Sequence, residues 1–243
     1  ITIFSSPFDF TAVDLLEELQ APAYKIASFE AIDIPLIEYV ARTGKPMIIS
    51  TGMANQEEIG EAVDAARKAG CNELVVLQCV SGYPAPAHDY NLATISDMAE
   101  RFDVLVGLSD HTIDNTTAIA SVALGSCLIE KHVTLDRDGG GPDDSFSLEK
   151  PELLQLCRDS KIAWESIGKV NYERKDSEKG NMIFRRSLYA VEDIAKGHIF
   201  SNVNVKSIRP GYGLLPKHIG SVIGKRASAD IERGSPIKWD FIE

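Results

Sequence analysis

The chain has 243 residues, with 25 Lys and Arg against 36 Asp and Glu, a formal charge of −11, and a pI near 5.0. So acidic a chain disfavours nucleic acid and anionic membrane as partners, because both are polyanions. Hydrophobic content of 44% beside 25% charged residues is ordinary for a globular protein and excludes disordered and fibrous classes. No apolar run approaches the ~20 residues of a membrane span, and no signal-peptide pattern opens the chain. A cytoplasmic location is therefore expected, with Cys71, Cys79, Cys127 and Cys157 as buried thiols in a reducing compartment.

Short apolar runs rich in β-branched residues fall at 1–4, 23–27, 46–49, 73–77, 104–108 and 127–133. Stretches of helical periodicity lie between them, at 11–19, 57–69 and 116–124, and a long helix is expected over 151–167. Strand, helix, strand at this spacing predicts right-handed βαβ crossovers and a parallel sheet. The chain opens on an apolar run with no Met, so it is expected to be the later part of a longer protein.

In a parallel sheet all carboxyl ends share one edge, where α/β active sites sit. The residues following the runs are Ser5-Ser6, then Lys25 with Ser28, then Ser50-Thr51-Gly52, Ser81-Gly82-Tyr83, Ser109-Asp110-His111, and Lys131-His132 with Thr134. Polar loops are common, but six successive clusters point to one shared site. His111 and His132 end neighbouring strands, and two neutral imidazoles suit a divalent ion with positions left for water and substrate. Lys25 and Lys131 with Ser6, Ser28, Ser50 and Thr51 suit an anionic ligand, a phosphate or carboxylate, although any one hydroxyl is as readily a helix cap. Gly139-Gly-Gly-Pro-Asp-Asp144 extends the His132 strand end and offers Asp143 or Asp144 to sugar hydroxyls or an amine. Walker, GxGxxG, GxSxG and HExxH motifs do not occur.

The charged stretch NYERKDSEKGN, starting at Asn171, breaks the apolar periodicity. The expected organisation is a barrel-type domain over 1–170, a linker over 171–182, and a β-rich domain over 183–243. Two similar segments, Asp193-Ile-Ala-Lys-Gly197 and Asp230-Ile-Glu-Arg-Gly234, read as pseudo-repeated turns of that last domain. The loop Ser207-Ile-Arg-Pro-Gly-Tyr-Gly213 carries Arg209 outward.

Several stretches resemble the sialic acid synthase (nonulosonic acid synthase) family: Ser5-Ser-Pro-Phe-Asp9, Tyr24-Lys-Ile-Ala-Ser-Phe-Glu30, Ile49-Ser-Thr-Gly-Met53, Gly107-Leu-Ser-Asp-His-Thr112, Glu130-Lys-His132 and Gly141-Pro-Asp143. They occur in the family's order, and the C-terminal region resembles its antifreeze-like SAF (β-clip) domain. Tyr24 to Glu30, the glycine loop with Phe146-Ser-Leu-Glu149, and Ser207 to Gly213 look most like the pseudaminic acid synthase branch.

The resemblance implies an α/β fold with a TIM (β/α)8-type barrel. Strands three to eight would be present and the first two missing, together with a catalytic Glu and a phosphoenolpyruvate-binding Lys; such a chain would be a fragment, inactive alone. It also implies condensation of phosphoenolpyruvate with an acylated amino-sugar. Phosphoenolpyruvate would be bound by Lys25, Ser28, Ser6, Ser50, Ser81 and Ser109, with a divalent metal (Mn or Mg, or Co) on His111 and His132. Tyr83, Asp143 and Arg209 would contact the sugar, Arg209 acting in trans across a domain-swapped homodimer. Its alternatives are N-acetylneuraminate or legionaminate synthesis, an aldolase with Lys25 as a Schiff base, and a non-catalytic antifreeze-like module.

Overall fold

Apolar runs flanked by amphipathic stretches become, in the computed structural model of residues 1–243, five parallel strands with helices between them. The strands are β1 (Tyr24–Ile26), β2 (Met47–Ser50), β3 (Leu74–Cys79), β4 (Leu105–Asp110) and β5 (Leu128–Lys131), neighbours in that order. The helices are α1 (Phe10–Glu18), α2 (Ile34–Ala41), α3 (Gln56–Lys68), α4 (Ala93–Phe102), α5 (Thr116–Ala123) and α6 (Lys150–Ile167). Local chemistry sets the helix starts: Asp9 caps α1, Asp33 caps α2, and Asn55 with Glu58 forms a capping box on α3. Thr51, a sequence candidate for a cap or a ligand donor, is not the cap, which is Asn55, and its hydroxyl proton is spent on the Leu77 carbonyl at 3.0 Å.

Strand side chains alternate between faces, so the parallel register sorts them. Tyr24, Ile26, Met47, Ile49, Val76, Val106 and Leu108 are buried in the core shared with the helices. The other face carries Lys25, Ile48 and Val75 in one row, Ser50, Leu77, Gly107 and Leu128 in the next, and Cys79, Ser109 and Glu130 nearest the carboxyl edge. Lys25 Nζ on β1 lies 3.4 Å from Glu130 Oε2 on β5. In a flat sheet those strands would stand about 19 Å apart, at ~4.8 Å per step, farther than the two side chains reach. The sheet is therefore curled into a half-barrel of the TIM type. Gly107 permits the tight inner face, since a Cβ there would lie 2.3 Å from the Leu128 carbonyl oxygen and 2.6 Å from Leu77 Cδ2.

Two expectations fail here. The run 1–4 is not a strand: Ile1 and Ile3 are exposed, and only Ser5 bridges to Tyr24. A segment with one neighbour and one ladder contact gains too little to pair along its length. Of the four cysteines, Cys71 and Cys79 are buried, but Cys127 and Cys157 are exposed.

The chain divides into two compact units, Ile1–Lys169 and Val170–Glu243. The charged segment near the start of the second contains 3-10 turns over Asp176–Phe184 rather than plain linker. Its core, including Leu188, Ile194, Phe200, Val205, Ile231 and Ile237, forms around antiparallel strands β6 (Ser187–Ala190) and β7 (Val205–Ile208), with short α7 (Ile219–Val222). The two similar turns are related by reciprocal capping. Asp193 Oδ1 accepts from Arg233 N and Asp230 Oδ1 from Lys196 N, each at 2.7 Å, while Ile194 and Ile231 exchange backbone hydrogen bonds at 2.8 Å. No helix is long and apolar enough to cross a membrane.

Candidate functional site

The carboxyl edge of the half-barrel brings most of the sequence candidates into two neighbouring groups. The first is built on the ends of β4 and β5. The His111 backbone N–H donates to the Tyr90 hydroxyl at 2.6 Å, and that hydroxyl donates to the Ser109 carbonyl at 3.3 Å. Tyr90 is fully buried, and burial pushes its phenol well above the usual range. The His111 ring places Nδ1 2.7 Å from the Val80 carbonyl, an acceptor only. Nδ1 must then carry the proton, which leaves a lone pair on Nε2. Burial, opposed by the Val80 contact and assisted by His132, holds His111 below the ordinary imidazole value, so it is neutral at neutral pH.

His132 lies with its ring centroid 5.3 Å from that of His111, the planes at 72°. Its Nδ1 is 3.3 Å from Asp143 Oδ2. His111 is thus held from behind at Nδ1 by a hydrogen bond, the arrangement by which proteins orient metal-binding histidines, while the Asp143 carboxylate stands at ion-pair distance from Nδ1 of His132. Tyr83 stacks against His111 at 4.3 Å, and Phe146 closes the other side, 5.2 Å from His132 and 5.6 Å from Tyr83. No group of three or more His, Cys, Asp or Glu stands together here, and the nitrogen donors side by side at this point are the two imidazoles. That donor set fits a divalent ion that keeps its remaining positions for water and substrate.

The second group is a polar cradle. Gly52 N donates to Ser28 Oγ at 3.0 Å, and Ser28 Oγ lies 3.4 Å from Cys79 Sγ. A Cβ on Gly52 would stand 2.2 Å from Ser81 Oγ and 2.8 Å from Ser28 Oγ, so the cradle exists only because this residue is glycine. Six buried side-chain polar atoms have no hydrogen-bond partner, and three of them (Ser50 Oγ, Ser81 Oγ and Glu30 Oε2) belong to this edge. Buried polar atoms are normally paired, so a polar ligand at this edge would find donors and an acceptor with unspent capacity. Lys25 is buried with two long contacts, 3.3 Å to the Ile26 carbonyl and 3.4 Å to Glu130, which leaves its charge under-compensated. Ser109 Oγ donates to Glu130 Oε1 at 2.7 Å. Ser6 follows Ser5, which bridges to Tyr24 and whose carbonyl accepts from Lys25 N at 3.3 Å.

Lys131, the other expected anion-binding cation, is not at the site. Its ammonium lies on the opposite face, 2.8 Å from Asp110 Oδ2 and 2.9 Å from the Asp114 carbonyl, with both Thr112 oxygens completing the shell. Strand alternation explains this, because Glu130 and His132 share one parity and Lys131 has the other. Arg209 follows β7 in the second unit, exposed and without a hydrogen bond or ion pair. Glu130, Glu30, Cys79, Tyr90 and Phe146 were not singled out as site residues in the sequence. Of these, only Glu130 carries a usable signal, the two-residue step before His132. A hollow of about 520 Å³ at the opposite edge is lined by Ile48, Val75, Leu105 and Leu128 together with Arg67, Asn72, Glu73 and Asp103, and none of the buried unpartnered polar atoms lies in it.

Residues 1–172 match the NeuB family and residues 185–243 the SAF domain. A pseudaminic acid synthase of Campylobacter jejuni is 40% identical over 238 residues, covering 98% of this chain and 69% of that protein. The chain belongs to the NeuB family. An N,N'-diacetyllegionaminic acid synthase of Campylobacter jejuni is 39% identical, covering 98% of this chain and 72% of the relative. The crystal structure of the Bacillus subtilis spore coat polysaccharide biosynthesis protein spsE superposes with a TM-score of 0.66 at 34% identity, covering 100% of this chain and 74% of that one. The resemblance carried by the motifs therefore holds, and the chain is a phosphoenolpyruvate-dependent enzyme that forms carbon–carbon bonds.

Proposed function

We propose that this member of the NeuB family is a pseudaminic acid synthase. It condenses phosphoenolpyruvate with 2,4-diacetamido-2,4,6-trideoxy-L-altrose and water to give pseudaminic acid and phosphate. The observation that carries the chemistry is the pairing of two adjacent imidazoles, each with an oxygen acceptor near Nδ1, with a cradle of buried, unpartnered hydroxyls on one edge. Support for the sugar comes from the motifs of the pseudaminic branch and from relatives of that name at 40% identity.

In this reading Lys25, Ser28, Ser50, Ser81, Ser109 and Ser6 hold the phosphate and carboxylate of phosphoenolpyruvate. Ser50 and Ser81 have free hydroxyls to donate, and Lys25 needs only to exchange two long contacts for a better one. His111 and His132 would hold a divalent metal, Mn or Mg with Co as a substitute, whose chemistry is Lewis-acid polarisation of the open-chain sugar aldehyde. Tyr83 and Phe146 pack against the imidazoles and wall the sugar side. Asp143 fixes the His132 ring and contacts a sugar hydroxyl.

The enol C3 of phosphoenolpyruvate bonds to the aldehyde carbon, whose oxygen takes up a proton. Water adds to C2 with loss of a proton, and the C2–O bond breaks to release inorganic phosphate. Glu130, one oxygen on Ser109 and the other toward Lys25, keeps the cation on the inner face while this charge moves. Arg209, exposed and unpaired, is assigned to the sugar's acyl group in a domain-swapped homodimer.

The test is phosphate release from phosphoenolpyruvate with Mn. Parallel wells contain the altrose, N-acetylmannosamine, or the sugar that yields N,N'-diacetyllegionaminic acid. Release with the altrose alone supports the assignment. Release only with one of the other sugars moves the chain to that sibling activity. A borohydride-trappable adduct on Lys25 with pyruvate would instead favour an aldolase.

A further inference from the structure

After β5 the chain leaves His132, runs out through the three glycines, and returns at Leu148, where Leu148 N donates to the His132 carbonyl and Thr134 N to the Leu148 carbonyl, each at 2.9 Å. Within this excursion Asp144 folds back on its own loop. One carboxylate oxygen accepts from Thr134 Oγ1 at 2.6 Å and the other from Gly141 N at 2.7 Å. A Cβ at Gly139 or Gly141 would sit 2.9 or 2.8 Å from that second oxygen, so the glycines serve the carboxylate's close approach. Arg137 ties the loop to the start of α6. Its backbone N donates to Glu149 Oε1 at 3.1 Å, its Nε to the Ser147 carbonyl at 2.9 Å, and its Nη2 pairs with Glu152. Ser147 Oγ then donates to the Asp143 carbonyl at 2.7 Å.

All of these contacts converge on the backbone that carries Asp143. The Asp143–His132 pair itself is substantially exposed, 57% and 32% for the two side chains, and an exposed pair of this kind is weak unless its partners are held in place. We infer that Arg137 and Asp144 are positioning residues that pre-set the glycine loop, so that Asp143 stays on His132 Nδ1 and the ring keeps Nε2 free. The loop is then a fixed wall of the site, built before substrate arrives. This rests on the reading of His132 as a metal-holding residue, but it makes a claim of its own about the ring's proton.

The experiment uses the full 243-residue chain with ¹⁵N-labelled imidazoles, and reads the His132 tautomer from long-range ¹H–¹⁵N correlations at alkaline pH. The same samples are titrated with Mn(II) by electron paramagnetic resonance. The wild type is expected to carry the proton on Nδ1 of His132. Arg137→Gln and Asp144→Ala are expected to give a mixture of tautomers and Mn binding about tenfold weaker, with Arg137→Lys restoring part of both. Ser147→Ala, which removes only the hydroxyl contact to Asp143, should shift the tautomer in the same direction and by less. If the tautomer shifts but no protein binds Mn, the positioning role stands and the metal reading falls. An unchanged His132 tautomer with unchanged Mn binding in both principal variants overturns the inference.

Discussion

The two faces of the same strands make opposite use of their polar residues. On the outer face, Lys131 and Asp110 are 4% and 0% exposed as side chains, and Lys131 has four oxygens around its ammonium. On the inner face one residue away, Ser50 and Ser81 have buried hydroxyls with no partner, and Lys25 has only long contacts. The outer network is complete and holds the β4–β5 loops together. The inner one leaves hydrogen-bonding capacity unspent. The difference teaches that residue type and strand-end position do not place a side chain by themselves; two lysines at strand ends divide, by side-chain parity, between a closed network and the face that carries the unpartnered hydroxyls.

The largest effect expected from breaking this contrast is at an imidazole. His111→Ala should lower kcat/KM by about a thousandfold or more and abolish tight Mn binding while the fold persists, measured by phosphate release and metal titration. Activity within tenfold of wild type would remove His111 from the chemistry.

Lys131→Met should do the reverse. It strands Asp110 without its cation, and breaking a buried pair from one side destabilises by about 3–5 kcal/mol. Urea denaturation should register that loss, while the folded fraction keeps a near-normal KM for phosphoenolpyruvate. A large KM change with unchanged stability would place Lys131 among the ligand groups after all.

Ser50→Ala sharpens the comparison from the inner face. Removing a buried hydroxyl that lacks a partner should leave stability unchanged or raise it by about 1 kcal/mol, while the KM for phosphoenolpyruvate rises about tenfold through loss of a charge-assisted donor. A destabilised protein with normal KM would mean that the hydroxyl serves the fold.

The smallest effect concerns acid stability away from the site. Glu17 accepts from Lys45 at 2.6 Å and from Tyr24, and these hold its carboxyl below the ordinary 4.5. A lowered folded value means that the native state releases this proton more readily than the unfolded chain does. Its contribution is therefore full above that ordinary value and is lost as the pH falls through the lowered one. Glu17→Gln should flatten the acid arm of the stability curve slightly without changing KM. An acid arm identical to the wild type would show that the contact contributes nothing.

Much of the half-barrel was legible because its elements are local. The runs at 23–27, 46–49, 73–77, 104–108 and 127–133 became β1 to β5, and the long helix starts within one residue of expectation. The run at 1–4 failed because pairing needs a neighbour, which composition does not report. Strand-end position brings His111, His132 and the serines to one edge, whereas strand parity turns Lys131 to the other face. Glu130 was legible by that rule. Tyr90 and the Val80 carbonyl were not, since they meet His111 across 21 and 31 residues of sequence through a loop whose path no local pattern sets.

The most direct test of the account is anomalous diffraction from crystals of the chain grown with Mn and phosphoenolpyruvate. The account predicts a Mn peak bonded to Nε2 of both His111 and His132, with the phosphate against Ser28, Ser81 and Lys25 beside Gly52. A metal bound away from the two imidazoles, or phosphoenolpyruvate bound outside the serine cradle, would contradict it.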